Sequence, residues 1–157
     1  MKTARINTPL GIAELGGDSD GLFHVKILDS EEAVSKEIPP ELKPAADQLA
    51  SYFKGELKDF DLKLNPQGTD FQKKVWNKLL EIPYGTTTSY LELSRALGDE
   101  KAIRAVASAN GKNPLWIIVP CHRVIGSNGS LTGYAGGLHR KKWLLDLENP
   151  PSQQSLF

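Results

Sequence analysis

Cysteine is all but absent from this chain: Cys121 is the only one in 157 residues. No intramolecular disulfide can form, and no zinc site built on several thiolates is available. A reducing, intracellular setting is the expectation that follows. Long apolar runs are missing too. None approaches the ~18 residues needed to span a bilayer, so no membrane partner is expected. Residues 1–16 carry basic side chains with no apolar stretch behind them, so a signal peptide is not expected either. Excess charge of one sign is also lacking, since 19 Lys and Arg balance 19 Asp and Glu. At first this argues against nucleic acid, but the two halves differ. Residues 1–68 hold eight basic and twelve acidic side chains, and residues 69–157 hold eleven and seven. Any contact with phosphates is therefore expected from the second half.

What is present is ordinary for a globular protein: 39% apolar and 24% charged residues, in a length that suits one domain or two small ones. Residues 1–66 read as an α+β domain. "ARINT", "GIAEL" and "GLFHVKIL" are short strands separated by turn chemistry at Pro9-Leu10-Gly11 and Gly16-Gly17-Asp18. Alternation puts Phe23, Val25 and Ile27 on one face and His24 and Lys26 on the other, towards solvent. Leu42, Ala46, Leu49 and Phe53 then recur at helical spacing, closed by Gly55. "DFDLKLN" reads as a further strand, and "NPQG" (65–68) as the boundary.

Residues 69–149 read as a second, mainly helical domain. Thr69 with Gln72 forms a capping box for a helix whose apolar stripe is Phe71, Val75, Trp76, Leu79 and Leu80. Ser89 with Glu92 opens another helix, which puts Tyr90 at its first position and ends at Gly98. After the short link Asp99-Glu100 comes "KAIRAVASANG". Two helices joined so closely resemble a helix-turn-helix pair. The second is rich in small residues, with Arg104 as its long basic side chain besides Lys101. Burial against neighbours and close approach to a shallow nucleic-acid groove are both consistent with that composition. "SNGS" is a tight-turn signal. A last helix, "LHRKKWLLDLE", is expected to turn Leu138, Trp143, Leu144 and Leu147 inward. Glu148 at its C-terminal end opposes the helix dipole and calls for a partner.

The chemistry converges on "IIVPCHRVIG" (117–126). Pro120 ends the apolar strand before Cys121. In an extended strand Cys121 and His122 would point to opposite faces, so the histidine can serve the thiol only if the chain turns. A histidine in reach, directly or through one water, would generate thiolate. Glu148 is the candidate acceptor for the other imidazole nitrogen. An inert core thiol is the alternative that the dipeptide leaves open.

"VPCHRVIG", "TGYAGGLHRKKWLL" and "IPYGTTTSY" with "AIRAVASANGKNP" resemble the signature stretches of the O6-alkylguanine-DNA alkyltransferases. The match runs in register through residues 69–148. It implies a ribonuclease-H-like α+β domain followed by a winged helix-turn-helix-like domain. It also implies DNA repair by irreversible, single-turnover transfer of an alkyl group from O6-alkylguanine, and from O4-alkylthymine, to Cys121. His122 would take the thiol proton, Glu148 would orient His122, and Asn113 would brace the turn carrying the cysteine. Tyr90 would donate a proton to the leaving base, with Val124, Tyr134, Ala135 and Gly136 around the flipped base. Arg104 would fill the space that base vacates, while Ala105, Ala107 and Ser108 approach the minor groove. No cofactor or metal is implied. The implied protein is a monomer acting on double-stranded DNA in the cytoplasm, or in the nucleus of a eukaryote. Ala135, Ala107 and Ser108 depart from the serine and glycines common at those positions. A non-catalytic sensor of alkylated bases that recruits other repair factors is the first rival, disfavoured by the intact "PCHR". A Cys-His hydrolase of acyl substrates is the second, and it would have no use for Arg104.

The chain ends in "NPPSQQSLF", where Pro150 and Pro151 stop the helix. Leu156 and Phe157 either tuck against the protein's own surface or serve as a docking peptide. The stretch from Gln153 to Phe157 is similar to the pentapeptide by which bacterial repair and replication proteins bind the sliding clamp. That similarity implies a rim hydrogen bond from Gln153 and an apolar pocket for Leu156 and Phe157.

Overall fold

The computed structural model describes residues 1–150. The chain forms two compact units: Met1–Gln67 with Pro114–Ile118, and Gly68–Asn113 with the chain from Val119 onward.

In the first unit the three expected strands form an antiparallel sheet in the order β1 (Lys2–Thr8), β2 (Gly11–Asp18), β3 (Gly21–Ile27). The pairing of β2 with β3 shifts at Gly16/Gly17, so that Gly16 faces His24 while Gly17 faces Leu22. This bulge breaks the simple alternation read from sequence: Leu22, Val25 and Ile27 are buried, and Phe23 is only half-buried. Glycine is needed at 16, because a side chain there would collide with the His24 ring. His24 itself reaches Glu14 at 3.2 Å on the solvent-facing side, as expected. Helix α1 (Lys43–Phe53) starts with proline in its first turn and buries Ala45, Ala46, Leu49 and Tyr52. Instead of a further strand, "DFDLKLN" contributes a single bridge, Leu64 to Leu22.

The block read in sequence as one domain, 69–149, lends residues 114–118 to this first unit. The Val25 amide donates to the Pro114 carbonyl at 2.9 Å, and the Trp116 amide donates back to Val25 at 3.0 Å. The expected apolar strand before Cys121 does not continue. Ile117 adopts φ 76°, and the Ile118 amide turns back to the Trp116 carbonyl at 2.8 Å. A left-handed φ is costly for a β-branched residue, and Ile117 is fully packed there.

In the second unit, α2 (Asp70–Leu79) has the predicted capping box: Thr69 accepts from the Gln72 amide at 3.1 Å, and the Gln72 side chain accepts from the Thr69 amide at 2.9 Å. Its buried stripe is narrower than read from sequence. Val75, Trp76 and Leu79 are inside, while Phe71 and Leu80, at the two ends, are exposed. Strand β4 (Thr88–Ser89) leads into α3 (Tyr90–Ala96), where Ser89 accepts from the Glu92 amide. The Glu92 carboxylate does not close the box but accepts from the Thr88 hydroxyl at 3.0 Å. A single 3₁₀ turn, capped by Asp99, joins α3 to α4 (Ile103–Gly111). Helix α4 buries Val106, Ala109 and Asn110, and its Ala109 carbonyl accepts from the Trp76 indole at 2.8 Å.

Helix α5 (Leu138–Glu148) departs furthest from expectation. Of the four apolar residues expected inward only Leu144 is buried, and Leu138 is exposed. Arg140, Lys141 and Glu148 share the buried face with Leu144. Spacing of i, i+3 and i+7 made this face available, but the oxygens and the imidazole it meets come from residues distant in sequence.

Candidate active site

Two consecutive turns place Cys121. Pro120 sits at φ −81°, ψ 62°, and the Cys121 amide donates to the Val119 carbonyl at 2.8 Å, an inverse γ-turn. Cys121–Arg123 then form one 3₁₀ turn before β5 (Val124–Ile125). The chain therefore does turn at this point, which releases Cys121 and His122 from the opposite faces of a strand. Strand β5 pairs in parallel with β4, Thr88 with Val124 and Ser89 with Ile125. That two-residue ladder holds the start of α3, and Tyr90 with it, beside the cysteine turn.

Asn113 braces the turn from below. Its amide nitrogen donates to the Val119 carbonyl at 2.8 Å, and its side chain also hydrogen-bonds the thiol. Cys121 is buried, and that burial pushes the thiol up to about 11. At neutral pH the group is a thiol and not a thiolate, so any reaction needs a base that takes the proton.

The next residue is the candidate for that base. The His122 side chain is fully buried, and its Nε2 donates to Glu148 Oε2 at 2.7 Å. Burial dominates and pushes the imidazole down, with Glu148 opposing and Arg123 and Lys141 adding to the decrease. A neutral ring whose Nε2–H is given to a carboxylate has its lone pair on Nδ1. Nδ1 has no protein hydrogen-bond partner among the described residues, so it stays available as an acceptor. Glu148 is held in turn by the Gly85 amide at 3.2 Å and by Arg123, Nε to Oε1 at 2.8 Å and Nη2 to Oε2 at 3.0 Å.

On the other side of the turn Lys141 is fully buried. Its ammonium donates to the carbonyls of Val124 at 2.6 Å and Thr132 at 2.8 Å, and more weakly to Gly133 at 3.5 Å. These bonds tie the glycine-rich loop to the cysteine turn. Burial lowers the lysine to about 8, and Cys121 pulls it back up. A cleft of about 440 Å³ is lined by Tyr90, Ala107, Asn110, Gly111, Thr132, Gly133, Tyr134 and Ala135. Burial, and then the nearby Cys121, hold the Tyr134 hydroxyl well above its ordinary value, so it stays protonated.

Family models decide the assignment. One described as "6-O-methylguanine DNA methyltransferase, DNA binding domain" matches residues 70–150, and one for the "ribonuclease-like domain" of the same protein matches residues 1–66. The chain belongs to the 6-O-methylguanine DNA methyltransferase family. It is 50% identical over 155 residues to a methylated-DNA–protein-cysteine methyltransferase of Methanosarcina acetivorans, covering 94% of this chain and 98% of the relative. It is 47% identical over 158 residues to the protein of that name from Mycobacterium tuberculosis, covering 97% and 96%. Among solved structures, the M. tuberculosis O6-methylguanine methyltransferase superposes with a TM-score of 0.83 at 46% identity, covering 99% of this chain and 98% of that one. The M. tuberculosis OGT in complex with DNA also gives 0.83, at 48% identity and coverage of 92% and 90%.

In this methyltransferase-family chain, Asn113 is paired with Cys121 and His122 with Glu148, the two pairs meeting at consecutive residues of one turn, and Tyr90, Tyr134, Ala135 and Ala107 share one cleft. Val124 is buried with its carbonyl on Lys141, and Gly136 is buried with its carbonyl on Arg140 at 3.0 Å; neither lines the cleft. Arg104, Ala105 and Ser108 are exposed on the outer face of α4. Gln153, Leu156 and Phe157 lie outside the described residues. Three residues of the site were missed in sequence. Arg123 was visible inside "PCHR" but had no partner in view. Lys141 sits in the basic run "HRKK", where nothing in the sequence sets it apart from its neighbours. Asn110 reads in sequence only as part of a small-residue helix, yet its amide nitrogen points to the Cys121 carbonyl at 3.5 Å and its Oδ1 has no partner among the described residues.

Proposed function

We propose that this protein repairs DNA by moving the alkyl group of O6-alkylguanine onto Cys121, once per molecule. The observation that carries the proposal is the buried chain of contacts from Glu148 to His122 beside a protonated, buried thiol. In this reading Nδ1 of His122 takes the thiol proton, directly or through one water. The sulfur attacks the alkyl carbon in line, the S–C bond forms as the C–O6 bond breaks, and the electron pair stays with the base. Tyr90 gives its hydroxyl proton to the departing guanine and recovers one by way of the imidazolium. Sulfur ends as a thioether that water does not attack, so there is no turnover. The target atom lies inside a duplex, so the base must leave the stack, and the cleft beside Tyr90 and Tyr134 supports that step. The exposed Arg104, Ala105 and Ser108 on α4 support approach to the minor groove, with Arg104 occupying the gap. The place of action is with the DNA, in the cytoplasm or a eukaryotic nucleus, and the active species is a monomer.

Intact-protein mass spectrometry after mixing with a duplex carrying one O6-methylguanine tests the proposal. The expected result is a gain of one methylene's mass on the Cys121 peptide, saturating at one per molecule. Tight binding without a mass change would make the protein a sensor and sink alkyl transfer. The tail carries a separate proposal, resting on "QQSLF" alone: docking to a sliding clamp. Deleting residues 153–157 should abolish clamp pulldown and leave alkyl transfer unchanged; equal pulldown would end the idea.

A further inference from the structure

Two side chains of different kinds share the two oxygens of Glu148. The Arg123 guanidinium forms a fork on it, Nε to Oε1 at 2.8 Å and Nη2 to Oε2 at 3.0 Å. Its third nitrogen, Nη1, donates to the Ile82 carbonyl at 2.7 Å, and the group lies 5.7 Å from the centre of the Tyr84 ring. With all three nitrogens engaged the fork is fixed in direction. Oε2, shared with Nη2, is also the atom that accepts from His122.

A lone buried carboxylate at that distance would draw a proton onto the ring. An imidazolium has no lone pair and cannot act as a base. A guanidinium on the same carboxylate removes most of that attraction, because the pair presents little net charge to the ring. The other groups facing His122 do not favour a charged ring: Lys141 is cationic, Cys121 is a neutral thiol at neutral pH, and burial itself opposes charge. Among the described residues Glu148 is the single group that does, and Arg123 offsets it.

We infer that Arg123 is a positioning residue for the transfer: its fork on Glu148 keeps His122 neutral with Nε2–H on the carboxylate, so that Nδ1 remains a proton acceptor at and somewhat below neutral pH. The inference rests on the alkyl-transfer reading of Cys121 and His122. Without Arg123 the His122–Glu148 pair takes up a proton at higher pH, and the base disappears under ordinary conditions. Loss of a merely structural contact would lower the rate by the same factor at every pH.

Two measurements separate these cases. Single-turnover transfer to a methylated duplex is followed from pH 5.5 to 8.5, to be run for the wild type, Arg123→Gln and Arg123→Lys. For Arg123→Gln the wild-type-to-variant rate ratio should grow by about tenfold from the alkaline to the acidic end, a displacement of the acid limb by about one pH unit. Arg123→Lys keeps the charge and loses the fork, so its limb should lie between the two. A ratio flat across the range overturns the inference. Because a variant with an unpaired buried carboxylate can unfold, the second measurement uses the native pair. The chain has three histidines, so the His24→Gln/His139→Gln variant retains His122 alone for ¹⁵N NMR of the imidazole. A neutral ring protonated on Nε2 at pH 6.5 is the expected spectrum; an imidazolium or an Nδ1–H ring there overturns the role given to Arg123. The NMR result does not depend on DNA, so a wild type that never alkylates would refute the alkyl-transfer reading and be recognised as a separate failure.

Discussion

Cys121→Ser should lose alkyl transfer by on the order of 10⁴-fold or more while the protein still binds methylated duplex. The hydroxyl is a far weaker nucleophile, and nothing else in the chain replaces the only thiol. Binding should survive because Arg104, Ala105 and Ser108 face outward from α4 and do not depend on the sulfur. Mass spectrometry and a gel-shift titration on the same preparation read both effects; a mass gain in the variant would mean that another group accepts the alkyl chain. The same variant tests the state of the thiol. Cys121 is raised from an ordinary value of 9.0 to about 11 in the fold. A raised acid of this kind contributes stability that is complete below the unfolded value and is lost as pH rises through the folded one. Between pH 9 and 11 the wild type should therefore lose about 2–3 kcal/mol relative to Cys121→Ser. Lys141, which Cys121 helps to hold at about 8, loses that pull in the variant, so the difference between the urea unfolding curves reads the thiol together with its coupling to the lysine.

Glu148→Gln is the second large effect, and it acts on both stability and rate. Each oxygen receives two donors, Arg123 Nε and the Gly85 amide on Oε1, and His122 Nε2 and Arg123 Nη2 on Oε2, but of these four only the imidazole nitrogen can become an acceptor. The amide oxygen must therefore take the Oε1 place, which turns the NH₂ towards His122 Nε2. His122 then has to accept at Nε2 and carry its proton on Nδ1, the wrong tautomer for a base. Transfer should fall by on the order of 10³-fold across the whole pH range. Losing the charge also leaves Arg123 as a buried cation without its counterion, which costs about 3 kcal/mol or more. Urea unfolding and single-turnover rates check the two parts. A variant with full rate and a lowered midpoint would reduce Glu148 to a purely structural role.

Some of this site was open to inspection in one dimension. Thr69 with Gln72 and Ser89 with Glu92 marked helix starts, because caps are made by residues three apart. Pro120 before Cys121 forced a change of direction, since proline restricts its own φ and the residue before it. Glu148 calls for a partner because a carboxylate at a helix C-terminus is poorly placed without one, and His122 is the candidate in the sequence. Other features were not open in this way. Nothing in "DFDLKLN" distinguishes a strand from a segment that makes one bridge, because pairing depends on which edge is free. Nothing in the basic run before Trp143 marks Lys141, and only the carbonyls of Val124, Thr132 and Gly133 make a home for it.

The sequence by itself determined the chemistry: one thiol, a histidine next to it, a proline that ends the strand before them, and a family signature spread over residues 69–148. These depend on residue identity and on contacts a few positions apart. Tertiary structure decided which groups control that chemistry. It turned the charged side of α5 inward, set Arg123 as a fork on Glu148, sent residues 114–118 to pair with β3, and brought Tyr90, Asn110 and Tyr134 around one cleft. Each of these is a contact between residues far apart in the chain, and its strength comes from burial. A lysine or arginine in a sequence carries no mark of whether water or a carbonyl will surround it.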